Sequence, residues 1–232
     1  MSKKIAFLTT IFPMKTEYLD DFFNSLVNQT YTLFDIVVVN DGYQDFDKIK
    51  NKYSLLNIIE LKYSKTIAKN REYGINYVIE NNYDILIFGD SDDYFSSNRI
   101  LKSLELLTSN DIVVNDLSLF NEEGVYIKQY ISNRLENNTL VDFGFIKDKN
   151  IFGLSNTALN VAILDNVYFE DDLVAVDWFL YKKLLKSKNS AIFTNKIETY
   201  YRQYENNTVG LNTVNGRYPL WWESTEENKD NN

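Results

Sequence analysis

Over its first 88 residues the chain alternates between continuous apolar runs and helical patterning. Ile36-Val37-Val38-Val39 is β-branched throughout, and residues 5–10 and 85–88 form similar runs, as strands buried on both faces do. Between the first two, Leu19, Phe22, Phe23 and Leu26 recur at i, i+3, i+4 and i+7, one apolar stripe of a helix. The order repeats with a strand at 58–61 and a helix over 66–81 that turns Ala68, Ile75, Val78 and Ile79 inward. Parallel strands need crossover connections, so these units predict an α/β fold with a mostly parallel, Rossmann-like sheet flanked by helices.

Past residue 93 the pattern changes. A helix over 98–107 precedes two strand-like runs, 112–119 and 125–131, joined across Asn121-Glu122-Glu123-Gly124, which predicts a small antiparallel hairpin. Leu173, Val176, Leu180 and Leu184 set up a helix over 173–185, and 192–193 and 197–201 read as two short late strands. With no internal repeat and no linker rich in Gly, Pro or Ser, the expected organisation is one domain over 1–222, its second half a C-terminal extension, with a frayed polar tail over 223–232.

Composition narrows the chemistry. With 24 Lys+Arg against 33 Asp+Glu and a net charge of −9, the chain lacks the basic face that nucleic-acid binding needs. It has no Cys and no His, so thiolate chemistry and histidine-ligated zinc are excluded and a general base must come from a carboxylate, Tyr or Lys. No stretch has the length of a membrane span or the form of a signal peptide. The expected location is the cytoplasm, with peripheral association at the inner face of the membrane allowed.

The sharpest motif is Gly89-Asp90-Ser91-Asp92-Asp93, three carboxylates straight after the apolar run 85–88. Ligands of open α/β sheets sit at the carboxyl ends of strands, and crowded carboxylates are best tolerated when a divalent cation neutralises them. Mn²⁺ or Mg²⁺ shared with substrate phosphates is the expected occupant, against the blander reading of a solvated acidic turn. A calcium loop starting at Asp90 would need Gly at Phe95 and Glu at Leu101, and fails on both. Asn40-Asp41-Gly42 ends the run 36–39, where Asp41 can accept from a nucleobase N–H or simply form an Asp-Gly turn. Thr9 and Thr10 end the first strand, and Lys69 and Arg71 open a helix where cations and the helix N-terminus can meet a diphosphate. Asp177, near the start of the helix over 173–185, is a candidate general base; the N-terminal acidic role of a helix dipole fits Glu170, Asp171 and Asp172 better.

Together these residues resemble family 2 glycosyltransferases of the GT-A fold. The likeness is carried by residues 17–31, by 36–42, by Ala68-Lys69-Asn70 with Gly74-Ile75, by 85–95 and by Asp177-Trp178. It covers residues 1–95 well and continues to Tyr204 through scattered matches. It implies a nucleotide-sugar-binding half over 1–95 and an acceptor-binding half over 96–222. It also implies that Thr9, Ile11 and Asp41 hold the base, with Thr10 and Ser91 beside the donor. Asp90 then holds the ribose or the metal, Asp92 the metal, and Lys69 or Arg71 the diphosphate. Asp177 matches the family's base, which deprotonates an acceptor hydroxyl for attack with inversion. The resemblance implies a UDP-linked donor and a glycan or lipid-linked glycan acceptor in bacterial surface polysaccharide synthesis. Tyr200-Tyr201-Arg202 with Asn206-Asn207-Thr208 resembles a C-terminal loop that closes over donor. The chain departs from the family pattern at Asn40, at Arg71-Glu72-Tyr73 and at Val176, where an acidic residue often precedes the base.

Two other readings compete. A sugar-phosphate nucleotidylyltransferase wants a Gly-rich loop after the first strand, and Thr9-Thr10-Ile11-Phe12-Pro13 is not one. A non-catalytic nucleotide- or glycan-binding module requires Asp177 to point away from the site. Tyr218, Trp221 and Trp222 are candidates for stacking on an acceptor sugar or on a partner subunit, or for core packing, the commoner role of such a cluster.

Overall fold

The protein's structure, a computed structural model, describes residues 3–147 and 149–203. Asn206-Asn207-Thr208, the cluster of Tyr218, Trp221 and Trp222, and the tail over 223–232 lie outside the described residues.

The apolar runs become the centre of one large sheet. Strand β1 (Ile5–Ile11) pairs in parallel with β2 (Asp35–Asn40) on one side and with β4 (Ile85–Phe88) on the other, and β3 (Asn57–Lys62) continues the parallel set beyond β2. Helices α1 (Thr16–Val27), α2 (Phe46–Lys52) and α3 (Ile67–Glu80) supply the crossovers. The second half adds β5 (Tyr94–Phe95), α4 (Arg99–Leu106), β6 (Ile112–Asn121) and β7 (Gly124–Ile127). It continues with β8 (Leu140–Val141), the short α5 (Phe143–Ile146), β9 (Thr157–Asn160), α6 (Val176–Lys186) and β10 (Ala191–Arg202). The sheet order is β3-β2-β1-β4-β9-β6-β10-β5, with β7 on β6 and β8 on β10.

The continuous hydrophobicity of β1, β2 and β4 follows from burial on two faces. Ile5, Phe7, Ile36, Val38, Ile85 and Ile87 face a layer of α1, α2 and α4, where Leu19, Phe22, Phe23, Leu26 and Ile100 are buried. Their alternates Ala6, Leu8, Val37, Val39, Leu86 and Phe88 face α3, α5 and α6. Each fully buried Phe or Leu contributes on the order of 1.5–3 kcal/mol. Just beyond α1 lies Gln29, whose buried side chain donates to Ser25 O at 3.0 Å and Ser96 O at 2.9 Å and accepts from Ile100 N at 3.1 Å. One residue thereby joins the end of α1 to the start of α4.

The expected α/β fold is present, and so is the hairpin, as β6 and β7. Several local expectations need correction. The antiparallel part exceeds a hairpin, because β9 runs antiparallel between β4 and β6. The two late strands are one, β10, interrupted by a bulge between Thr194 and Glu198. Helix α6 starts at Val176 rather than at 173: Leu173 belongs to a turn closed by its N–H to Glu170 O at 3.1 Å, and packs on the same core from there. Glu170, Asp171 and Asp172 therefore precede the helix, and Asp177 itself is the acidic residue of its first turn.

Gly89, between β4 and the acidic turn, is a steric requirement. A Cβ there would lie 2.5 Å from Phe7 Cε1 and 2.6 Å from Phe95 Cζ, and both rings are held in an aromatic cluster with Phe22. Gly89→Ala is expected to lower stability by about 1–3 kcal/mol through overpacking, seen in urea unfolding as an earlier midpoint at unchanged slope. An unshifted midpoint would mean the rings yield freely.

Candidate functional site

Because β2, β1 and β4 are adjacent and parallel, their carboxyl ends bring the residues at 9–11, 41 and 89–93 to one edge. Asp41 N donates to Ile11 O at 2.8 Å, and Ser91 Oγ donates to Thr10 O at 2.8 Å, so the turns after β2 and β4 are both tied to the end of β1. Gly42 makes the first turn with a left-handed φ of 81°, which glycine adopts without steric cost. Thr9 is fully buried, and its hydroxyl has no hydrogen-bond partner among the described residues. Thr10 is half-buried and Ile11 is buried.

The first turn of α3 completes this edge. Thr66 caps the helix by accepting from Lys69 N at 3.3 Å. Asn70, fully buried, donates to Asp41 Oδ2 at 2.8 Å and accepts from Lys65 N at 3.0 Å, fixing the Asp41 carboxylate. Arg71 reaches across to the acidic turn, where its Nη2 lies 2.5 Å from Asp90 Oδ1, both side chains largely shielded from solvent. Lys69 turns elsewhere: its Nζ is 2.9 Å from Glu72 Oε2 and 4.0 Å from the Tyr168 ring centroid. Glu72 also accepts from Phe169 N at 2.6 Å, and Asn76 makes two hydrogen bonds to the main chain of Val167. Lys69, Glu72 and Asn76 thus pin the segment that leads into α6.

The acidic turn is a pair of outward carboxylates over a buried third, not the knot of three that the sequence suggests. Asp93 is fully buried, accepting from Ser155 Oγ and from Arg202 N at 2.8 Å. Burial, then the charges of Asp92 and Asp90, raise its pKa well above the usual carboxylate range. Arg202 adds a second tie, donating from Nε to Asp92 O at 2.7 Å while pairing with Asp21 of α1. Beneath the turn, Arg99 donates to Phe88 O and Ser155 O, each at 2.7 Å, and to Thr199 Oγ1.

Asp177, in the first turn of α6, lies near enough to Asp90 and Arg71 to feel both charges. Burial raises its pKa to about 6, with Asp90 adding to the rise; its own helix's Trp178 N and then Arg71 oppose it. Burial, then the charges of Asp93, Asp90, Asp92 and Asp177, raise the pKa of the Tyr201 phenol of β10 well above its ordinary value. Tyr201 and Arg202 are strand residues, not part of a closing loop. The site therefore unites Asp41, Asp90, Asp92, Arg71 and Asp177, and adds Asn70 and Tyr201, which lie in segments that carry the resemblance but had no role assigned, with Arg99 and Ser155, which no sequence signal marks.

Among the described residues no group of three or more acidic side chains forms an all-protein metal cage. Two carboxylates on one turn do suit Mg²⁺ or Mn²⁺ that completes its shell with phosphate oxygens and water, so Asp90 and Asp92 fit such a cation and Asp93 does not take part. No helix among the described residues is long and apolar enough to cross a membrane.

Comparison with known proteins agrees with this geometry. The family model described as "Glycosyl transferase family 2" matches residues 10–164. The chain is 29% identical over 119 residues to the O-antigen biosynthesis glycosyltransferase WbnJ of Escherichia coli, covering 49% of this chain and 46% of that one. The chain thus spans about half the length of this curated relative. Among solved structures it is similar to S. aureus TarS 1-349 in complex with UDP-GlcNAc, with a TM-score of 0.67 and 19% identity, over 88% of this chain and 60% of that one. It is also similar to mannosyltransferase PcManGT from Pyrobaculum calidifontis in complex with GDP-Man and Mn²⁺, with a TM-score of 0.64 and 13% identity, over 88% and 58%. At these identities the structural likeness establishes the fold, which is the GT-A arrangement expected.

The raised pKa of Asp177 has a consequence for stability. The folded state holds this proton more tightly than the unfolded chain, so wild-type stability falls as pH rises from 3.8, the ordinary value, to about 6. Urea unfolding across this range is expected to show Asp177→Asn gaining on wild type as pH rises, with the gap level above about 6. A gap independent of pH would mean that Asp177 is freely solvated.

Proposed function

This chain belongs to glycosyl transferase family 2, and from that premise we propose that it transfers a sugar from a nucleotide diphosphate donor to a hydroxyl of a glycan or lipid-linked glycan, with inversion. The observation that carries the reading is the convergence of Asp90, Arg71 and Asp177. A carboxylate turn at a strand end, a cation paired to it at 2.5 Å and a carboxyl group with a pKa near 6 share one site. A UDP-linked donor and a role in bacterial surface polysaccharide synthesis are supported by the S. aureus neighbour's bound UDP-GlcNAc and by the curated O-antigen relative.

Asp41, braced by Asn70, accepts from the base, beside the main chain at Thr9 and Ile11. Thr10 and Ser91 line the donor between the two turns, and Arg71 supplies the positive charge at the diphosphate in preference to Lys69, which is engaged by Glu72. Mn²⁺ or Mg²⁺ held by Asp90 and Asp92 would supply neutralisation of the charge that develops on the leaving diphosphate. Asp177 accepts the proton of the acceptor hydroxyl as its oxygen bonds to the anomeric carbon. The bond from that carbon to the diphosphate oxygen breaks on the opposite face, and the electron pair departs with the nucleoside diphosphate. A base with a pKa near 6 is ionised at neutral pH yet basic enough to take the proton in the transition state.

A panel of nucleotide sugars with Mn²⁺ should yield donor hydrolysis or transfer that Asp92→Ala abolishes. Asp177→Asn should lower kcat by roughly 10²–10⁴-fold and remove a rising limb of the pH–rate profile centred near 6. A fully active Asp92→Ala would remove the reading.

A further inference from the structure

The Arg71–Asp90 ion pair engages one of the two Asp90 oxygens that could coordinate a divalent cation. Arg71 Nη2 lies 2.5 Å from Asp90 Oδ1, and the two side chains are only 18% and 24% exposed, so solvent screens the contact weakly. A guanidinium this close repels a second cation as well as occupying its ligand. The contact is also directed: Arg71 projects from the first turn of α3, which is fixed by the Thr66 cap and by the buried Asn70. Lys69 does not share the task, since it is bound to Glu72 and lies over Tyr168.

Resting on the donor-site reading above, we propose that Arg71 makes cation binding conditional on the nucleotide: while Arg71 holds Asp90 the cation site is shut, and a diphosphate opens it by drawing the guanidinium away. A diphosphate is the ligand suited to this exchange. It offers a planar guanidinium paired oxygens that match a carboxylate in geometry and exceed it in charge. As Arg71 moves to the phosphates, Asp90 is released to join Asp92, and the same phosphates complete the cation's shell. Cation and nucleotide then bind with positive coupling, and the coupling is reciprocal. Asp177 takes part passively, because it feels both Asp90 and Arg71, and its local charge balance changes when the pair separates.

The test is Mn²⁺ binding, followed by the electron paramagnetic resonance signal of free Mn²⁺, to wild type, Arg71→Ala and Arg71→Gln, each alone and with saturating UDP or GDP. Thermal unfolding of all three confirms that the variants are folded, and the Gln variant keeps a polar, hydrogen-bonding side chain without charge. Wild type is expected to bind Mn²⁺ weakly alone and at least about tenfold more tightly with the nucleotide. Both variants are expected to bind Mn²⁺ alone about tenfold more tightly than wild type, with the nucleotide-dependent gain reduced by a similar factor. If the variants bind Mn²⁺ alone no better than wild type while a nucleotide still tightens binding in all three, the gate is overturned and the donor-site reading stands. If neither UDP nor GDP changes Mn²⁺ binding to wild type, the donor-site reading fails and takes the gate with it.

Discussion

The buried guanidinium of Arg99 ties together the strand ends that lie beneath the acidic turn. It is fully buried and donates to main-chain oxygens of Phe88 and Ser155 at 2.7 Å, to Thr157 O at 3.4 Å and to the Thr199 hydroxyl. Those acceptors belong to the end of β4, to the entry and first residue of β9, and to β10. A buried carbonyl left without a donor costs about 1–3 kcal/mol, and Arg99 supplies donors to three of them at once. Arg99 also stacks 4.6 Å from the Phe95 ring centroid. One side chain therefore satisfies the strand ends, closes the core beneath them and carries the main-chain segment from which the acidic turn departs. Removing its own charge from water is costly, and burial lowers its pKa to about 9 against the opposing influence of Asp93.

Asp93 explains how an acidic turn survives in a chain already at −9. Its pKa is raised by burial and by its two acidic neighbours, and its oxygens are engaged by Ser155 and the main chain of Arg202. The crowding of three adjacent carboxylates is eased at its exposed side by Arg71, which pairs with Asp90. The turn is pinned from below and behind while Asp90 and Asp92 remain partly exposed at the edge. Such rigidity suits a site in which ligands must arrive at fixed positions.

The first half was legible because physics repeats itself there. Strands buried on two faces must be apolar without alternation, and α1 and α3 must show a stripe, so β1 to β4 and the edge at which Asp41 and Asp90 sit could be read directly. Helix α2 could not, since seven residues burying only Phe46 and Ile49 leave no periodic signal. Strand β9 was equally opaque. Its region is rich in Ser155, Asn156 and Thr157, polar groups that are buried because Arg99, Asn115 and Tyr181 satisfy them. Burial of that kind depends on partners distant in sequence. The bulge that makes β10 look like two strands has the same origin, since Asn195 and Lys196 break the pattern where the strand shifts its pairing on β6.

The choice between Lys69 and Arg71 marks the limit of sequence reading most sharply. Two positions apart on a helix, they project about 200° from one another, so only one can face the acidic turn, and composition favours neither. Packing decides. Ala68, Ile75 and Val78 seat α3 on β1 and β2, and Gly74 allows close approach, since a Cβ there would meet Leu8 Cδ1 at 2.8 Å and Val39 Cγ2 at 2.9 Å. That seating turns Arg71 toward Asp90 and leaves Lys69 to Glu72 and the segment that carries the chain into α6. The helix thus divides its two cations between the donor edge and the scaffold that presents Asp177, so the sheet, α3 and α6 act as one frame around the site.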